Sequence, residues 1–542
     1  MVASLTARGA PGSPVARASR VRKWLVERPA GPYPSKPMEV LGLPFEALER
    51  IRLSRDARFD GRFFIAIAST GIYCRPICPA PHAKRSNVRY FETAAAAAEA
   101  GFRPCLRCRP EAAPGTPAWL GASAVVRRAL RLIQEGALDQ VSVQELANRL
   151  GVGPRQLHRL FVQHVGASPT TIAQTRRLHF AKRLLDETDL PITQVALAAA
   201  FGSVRRFNDC FRRTYGWAPR ELRRLRRRGA TADVGQEVVL RLSFRPPYDW
   251  PLVRDELARR AIPGVERIDA RGYARTVASD GGHAVVRVRA LPGQAALELA
   301  ARGAAPSLLF QLSSAARRTF DLAADPARIG LAFQGDPLLA PLVRLRPGLR
   351  IPGAWDPFEC AVRAALGERA GDAEASALLG GLVARLGRPV VGGEDGLTHL
   401  FPTPAALAAA TLDEIGLGSR SAAVQALART ALDGLFAPGG PDGDAPAVAA
   451  LPGLGDWAGQ TVALRALGEP DAFPSADAVL RRAAGGPGRA LTASELEARA
   501  ESWRPWRAYA AMHLWSAAAD GTPERHAHDA REPVEMVVAA AP

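Results

Sequence analysis

The chain has 542 residues, too many for one hydrophobic core, because cores stop growing near roughly 250–300 residues; about three or four domains are expected. Hydrophobic residues make up 47% of it, yet no stretch offers the roughly 18 uncharged apolar residues of a membrane span, and the basic start lacks an apolar core with a cleavage site, so the expected location is the cytoplasm. A formal net charge of +18 and a pI near 10.6 make a polyanion the first partner to consider, although a high-GC genome also enriches arginine, so position counts for more than the total.

In chain order, residues 1–40 are rich in Gly, Pro, Ser and Arg without apolar period and are expected to be disordered. A small unit is expected over 41–115, closed by the loop Glu111-Ala-Ala-Pro-Gly-Thr-Pro, and an all-helical unit over 119–230. Short alternating runs, Val238–Phe244 and Ala284–Ala290, predict strands with one buried face in a mixed α+β unit over 236–350. Ala/Leu-rich helical periodicity then predicts an all-α unit over 351–520, and residues 521–542 read as a tail. The fold class is therefore multidomain α+β.

Six cysteines occur, and Cys74, Cys78, Cys105 and Cys108 are clustered while Cys210 and Cys360 sit alone in helical patterns. In a reducing compartment two close pairs suggest metal rather than disulfides, and four thiolates close a tetrahedral shell around one zinc ion. A segment of this size buries little apolar surface, so a structural metal would supply folding free energy directly. From spacing alone a purely structural zinc remains the alternative. His82 lies between the pairs, but four sulfurs already fill the shell. The runs Phe59-Asp-Gly-Arg-Phe-Phe, Ser69-Thr-Gly-Ile-Tyr-Cys74-Arg-Pro-Ile-Cys78 and Gly101-Phe-Arg-Pro-Cys105-Leu-Arg-Cys108 resemble the N-terminal domain of the bacterial adaptive-response family Ada. That resemblance implies that Cys74 is both ligand and nucleophile, taking a methyl group once from a DNA methylphosphotriester. Methylation would turn the thiolate into a neutral thioether and weaken repulsion from phosphate.

Ser142-Val-Gln-Glu145 fits a capping box, and Leu146, Leu150, Leu157, Leu160 and Phe161 continue an apolar stripe across Gly151-Val-Gly, which reads as helix-turn-helix. The pattern recurs over Pro191–Pro219, with Phe201-Gly202 as the turn before a basic helix. This second half resembles the AraC-type activators, and the Ada family places such a domain after its zinc module. Arg155, Gln156 and Arg159 on one helix, with Arg205, Arg206 and Asn208 on the other, are the candidate contacts to double-stranded DNA, and Cys210 is read as a core residue. The activator resemblance also implies RNA polymerase as a partner and a place on the nucleoid.

Leu451-Pro-Gly453-Leu-Gly455-Asp-Trp457 reads as a helix-hairpin-helix link whose backbone amides suit a phosphate. Phe473-Pro-Ser-Ala-Asp477 and Trp503–Trp515 follow, with Arg245-Pro-Pro-Tyr-Asp-Trp250 and Pro347-Gly-Leu-Arg-Ile-Pro-Gly353 upstream. Together these resemble 3-methyladenine DNA glycosylase II, the AlkA family. The resemblance implies a base flipped into an aromatic pocket, Asp477 stabilising the sugar cation, and Trp457 and Trp515 as pocket aromatics. For Asp477 the competing reading is a helix-capping carboxylate. Strand-cutting relatives carry lysine where this chain has Trp457, so a monofunctional glycosylase is expected. Thr461 stands where the family has tyrosine, thinning the pocket, and Leu366-Gly-Glu368-Arg369 replaces an apolar wedge, so that Arg369 is the residue placed to fill the gap left by a flipped base. These departures motivate the alternative of a methylation-responsive regulator whose glycosylase half binds DNA without efficient chemistry. No Pro-Cys-His-Arg motif occurs, so O6-methylguanine reversal is not expected.

Overall fold

The computed structural model describes residues 40–113, 124–227, 237–280, 282–367, 371–391, 396–434, 436, 454–486 and 488–519. Residues 1–39 and 521–542, read above as disordered start and tail, lie outside the described residues, as do Glu368, Arg369 and Gly453. The described residues pack as two compact units, one drawn from 1–116, 158–186 and 191–231, the other from 117–157, 187–190 and 232–542.

In the first unit, helix α1 (Phe45–Ser54) precedes strands β1 (Phe64–Ile67), β2 (Ile72–Cys74) and β3 (Val88–Phe91), helix α2 (Ala94–Glu99) and the short strand β4 (Arg103–Pro104). The sheet order is β3-β1-β2-β4, antiparallel except for the parallel pairing of β2 with β4. Side-chain alternation along β1 divides the core in two: Phe63 and Ile65 pack with Leu48, Val88 and Tyr90, while Phe64 and Ala66 pack with Tyr73, Ala97 and Phe102.

Helices α3 (Ala124–Glu135), α4 (Ala137–Gln140), α5 (Val143–Arg149), α6 (Pro154–Val165), α7 (Pro169–Glu187), α8 (Ile192–Ala198), α9 (Val204–Tyr215) and α10 (Pro219–Arg227) follow. The capping box expected at Ser142 is present: its hydroxyl accepts from Glu145 N, and the Glu145 carboxylate accepts from Ser142 N. Leu146, Leu150, Leu157 and Phe161 of the expected stripe are buried, and Leu160 is half-buried. Ser203 caps α9 by accepting from Arg206 N, and Cys210 is buried, as are Phe207, Phe211 and Tyr215 of the same helix.

The second unit contains a five-stranded antiparallel sheet, β5 (Glu237–Ser243), β6 (Glu266–Asp269), β7 (Gly272–Ser279), β8 (Gly282–Ala290) and β9 (Ala296–Arg302), in the order β5-β9-β8-β7-β6. Helices α11 (Trp250–Arg259), α12 (Leu309–Thr319), α13 (Pro326–Phe333) and α14 (Leu339–Leu345) accompany it. The helical half comprises α15 (Pro357–Gly367), α16 (Asp372–Leu386), α17 (Pro404–Ala409), α18 (Ser421–Leu432), α19 (Asp456–Arg465), α20 (Ala478–Gly485), α21 (Ala493–Ala500) and α22 (Arg507–Ala519). The expectation of helices alone after Pro352 needs one addition: single bridges join Pro389 to His399 and Leu397 to Gly264.

The segment Pro347–Gly353 is a clamp between the sheet and the helical half. Arg350, fully buried, donates to the carbonyls of Arg245 (2.7 Å) and Pro247 (2.8 Å), and its guanidinium lies 4.8 Å from the Tyr248 ring centre. Glycine is required at both ends of the loop by close approach. A Cβ on Gly348 would stand 2.8 Å from Asp249 N, and one on Gly353 would stand 2.8 Å from Arg318 O and 2.9 Å from Arg465 O.

Candidate functional site

The parallel register pairs Tyr73 with Pro104, so the next residues, Cys74 and Cys105, emerge together at one end of the sheet. Tight turns return the second member of each pair, with Cys78 N donating to Arg75 O (3.1 Å) and Arg109 N to Cys105 O (3.2 Å). The four sulfurs lie within 4.8 Å of one another. A tetrahedral zinc with bonds of about 2.3 Å needs sulfurs roughly 3.8 Å apart, so the set fits the ion and its donor chemistry without rearrangement of the strands. The centre is a four-cysteine site for one zinc ion. His82 is exposed and stands beside Arg52, 3.4 Å from it.

Cys105 and Cys108 are buried, whereas Cys74 and Cys78 are half-buried, so two of the sulfurs can meet a large substrate. Arg75 was missed in the sequence. Its backbone N–H donates to Cys108 Sγ (3.3 Å) and its guanidinium to Cys108 O (3.1 Å), while buried Asp60 holds it through Nε (2.7 Å) and Nη2. Both residues stand inside the quoted motifs, Phe59-Asp60-Gly and Cys74-Arg75-Pro, and an acid and a base in paired motifs was the available signal.

On α6, Arg155, Gln156 and Arg159 are exposed, opposite the buried Leu157 and Phe161; on α9, Arg205 and Arg206 are exposed and Asn208 is half-buried. Arg212, also exposed, falls two helical turns after Arg205 and so extends the same basic face, a residue that helical period could have revealed.

In the helical half, Asp477 caps α20: its Oδ1 accepts from the backbone of Val479 and Leu480, both at 2.9 Å. The same carboxylate is gripped by two indoles. Trp457 Nε1 donates to Oδ2 and Trp515 Nε1 to Oδ1, each at 3.2 Å. The capping reading and the site reading are thus both realised in one side chain. Trp457, Trp515, Asp477 and Thr461 are all half-buried, which leaves the constellation reachable. Trp503 and Trp506 are buried in the core instead. Gly455 stands at the N-cap of α19 in an extended conformation.

Trp457, Thr461 and Arg465 recur every fourth residue and share a face of α19. Arg465 was missed by sequence reasoning, though its spacing from Trp457 was the signal. It is buried, donates to Pro352 O (2.8 Å) and lies 5.4 Å from the Trp515 ring centre. Burial, with Arg260 nearby, pulls its guanidinium down to about 9. Arg465 therefore ties the clamp loop to the indole that holds Asp477.

Fold and sites define a zinc-binding, DNA-acting protein in which a four-cysteine module and a tandem helix-turn-helix precede an α+β and helical half of glycosylase form. Three family models match: the metal binding domain of Ada over residues 47–111, a helix-turn-helix domain over 146–225 and the AlkA N-terminal domain over 239–356. A probable bifunctional transcriptional activator/DNA repair enzyme AlkA of Mycobacterium tuberculosis is 40% identical over 479 residues, covering 87% of this chain and 96% of that protein. This chain belongs to that family of bifunctional transcriptional activator/DNA repair enzymes. DNA-3-methyladenine glycosylase 2 of Escherichia coli is 31% identical over 282 residues, 51% of this chain and 95% of its own. The Escherichia coli bifunctional transcriptional activator/DNA repair enzyme Ada is 40% identical over 132 residues, 24% of this chain and 35% of its own. Among the described residues no helix is long and apolar enough to cross a membrane.

Proposed function

We propose that this chain senses DNA methylation at Cys74, activates transcription through its helix-turn-helix helices, and excises alkylated bases as a monofunctional glycosylase. The observation that carries the reading is one chain holding both a half-open four-sulfur centre and a carboxylate gripped by two indoles. We assign its domains to the spans 41–115, 119–230, 236–350 and 351–520. Double-stranded DNA is the shared partner, RNA polymerase the partner of the activator, and the cytoplasm the place of work.

At the cysteine centre, bound zinc supplies an electrostatic field that keeps the four sulfurs deprotonated at neutral pH. Cys74 Sγ attacks the methyl carbon of a methylphosphotriester in line with the departing oxygen. An S–C bond forms, the C–O bond breaks, and its electron pair stays on the phosphate as a diester anion. The sulfur is left as a neutral thioether, the centre loses one negative charge, and the protein is spent. Cys78 is half-buried like Cys74, so the choice of Cys74 rests on its place in the motif.

At the second site the C–N bond of an extruded nucleotide breaks, its electrons leaving with the base. Asp477 stabilises the cation developing at the sugar, and water then adds there and loses a proton. The two indole N–H groups fix the carboxylate, so little reorganisation accompanies the charge that forms. Trp457 occupies the lysine position of strand-cutting relatives, which leaves no amine there to form a Schiff base. The assembled carboxylate favours an active glycosylase over the regulator-only alternative, and Thr461 leaves its pocket one aromatic ring short. Gly453, Gly455 and Arg369 are assigned to DNA backbone and gap contacts.

Mass spectrometry after incubation with a methylphosphotriester oligonucleotide tests the sensor. One methyl group on the Cys74 peptide, absent from Cys74→Ala, is the expected result. Methylation at Cys78, or none with zinc retained, contradicts the assignment.

A further inference from the structure

In the first unit, the segments that carry the cysteine ligands are fastened to α7, the long helix between the two readers. Tyr73, immediately before Cys74, is buried, and its hydroxyl shares a 2.9 Å hydrogen bond with His179 Nε2. Arg109, immediately after Cys108, reaches Asp186 at 3.1 Å and Glu111 at 3.5 Å. Buried Glu111 accepts from Lys182 Nζ at 3.3 Å, and Lys182 also pairs with Asp186. Strand β4, which leads into Cys105, packs against α9. At the other end of the module, Thr93 Oγ1 donates to Val165 O and Ser168 N to the Glu99 carboxylate, each at 3.3 Å.

Glu111 and Lys182 at its centre are buried, while Asp186 and Arg109 are partly exposed; a buried pair of this kind is costly to desolvate and contributes little net stability compared with apolar packing of equal volume. Its two cations and two anions balance, and burial pushes the His179 imidazole down to about 4, so the ring stays neutral and offers a fixed donor and acceptor. Such a contact fixes a geometry. It lies one residue from two of the metal ligands, on the helix that stands in sequence between the reading helices α6 and α9.

We propose that α7 relays the methylation state of the cysteine centre to the DNA readers, with Tyr73–His179 and the Arg109–Glu111–Lys182–Asp186 cluster as the contacts that carry it. The proposal rests on methyl transfer to Cys74 as set out above. Once Cys74 is a neutral thioether, charge and bonding change at the end of β2 and in the turn after Cys108. Those two backbone segments hold the partners of His179 and Asp186, so α7 is displaced with them and the presentation of α6 and α9 changes. The effect adds to the simple loss of charge, and high salt, which screens the latter, leaves it in place.

The test uses the full chain with zinc bound, methylated by a phosphotriester oligonucleotide, and titrated at high salt against a duplex selected from a random-sequence pool on methylated wild type. The variants are His179→Phe, Tyr73→Phe, and the pair Glu111→Gln with Lys182→Met, which removes both partners of the buried ion pair together. Each is expected to bind zinc and take up methyl as wild type does, while the gain in affinity on methylation falls on the order of tenfold. Full gain in variants that take up methyl overturns the relay, as does a wild type that is methylated without any gain. A wild type that takes up no methyl group overturns the proposed sensor instead. Should one substitution cost zinc, the other two still decide.

Discussion

The ligands of the cysteine centre come from two short pairs set at one end of a small sheet, whereas Asp477 and its two indoles come from three helices, 20 and 38 residues apart. The first site is closed by local turns and a metal; the second exists only because a helical core, a clamp loop and a buried guanidinium hold its walls. One is therefore vulnerable first to loss of an ion, and the other to loss of the packing that holds its walls.

Chelation gives the largest way to break this contrast. Structural zinc contributes about 10 kcal/mol or more to modules of this size, so removing it is expected to unfold residues 41–115 while base release by the C-terminal half persists. Circular dichroism and base release measured on the same chelated sample check it, and loss of both together would show that the halves are not independent. A smaller effect is expected from Trp515→Phe and Trp457→Phe, which keep a ring and delete one N–H donor to Asp477. A hydrogen bond to a charged group is worth about 1.5–3 kcal/mol, so turnover should fall roughly tenfold or more with the melting temperature little changed; an unchanged rate would make the indoles walls only. The smallest effect concerns acid. Burial pushes His513 on α22 down to about 3, below its unfolded value of about 6.5. The unfolded chain thus takes up a proton that the folded chain refuses, and this contribution to stability is lost as pH falls from about 6.5 toward 3. Urea midpoints at pH 7 and pH 5 should differ less in His513→Leu than in wild type.

The same contrast explains what could be read in advance. Cysteine spacing is a local property, so all four ligands were legible, and so was the Ser142 capping box. What brings the pairs together, the parallel register of β2 and β4, depends on hydrogen bonding between segments some thirty residues apart, and no pattern in either strand announces it. Asp477 and both tryptophans were legible as a motif, but the motif could not say that the indoles aim their N–H groups at the carboxylate. The Pro347–Gly353 run stood out only by likeness; its glycines are explained by backbone atoms approaching from Asp249, Arg318 and Arg465, which packing alone brings near. Arg465 and Arg212 were within reach of helical period, and the relay cluster on α7 was not, since its members are polar residues that read as surface.

Release of free base from alkylated duplex DNA, by wild type and by Asp477→Asn with zinc content matched, tests the central claim most directly. Asp477 accepts from both indoles, so wild type is expected to release base and the variant to lose it by about 10²–10³, with methyl uptake at Cys74 intact in both. Equal release by the two proteins, or none by either while DNA binding and folding are intact, would contradict it.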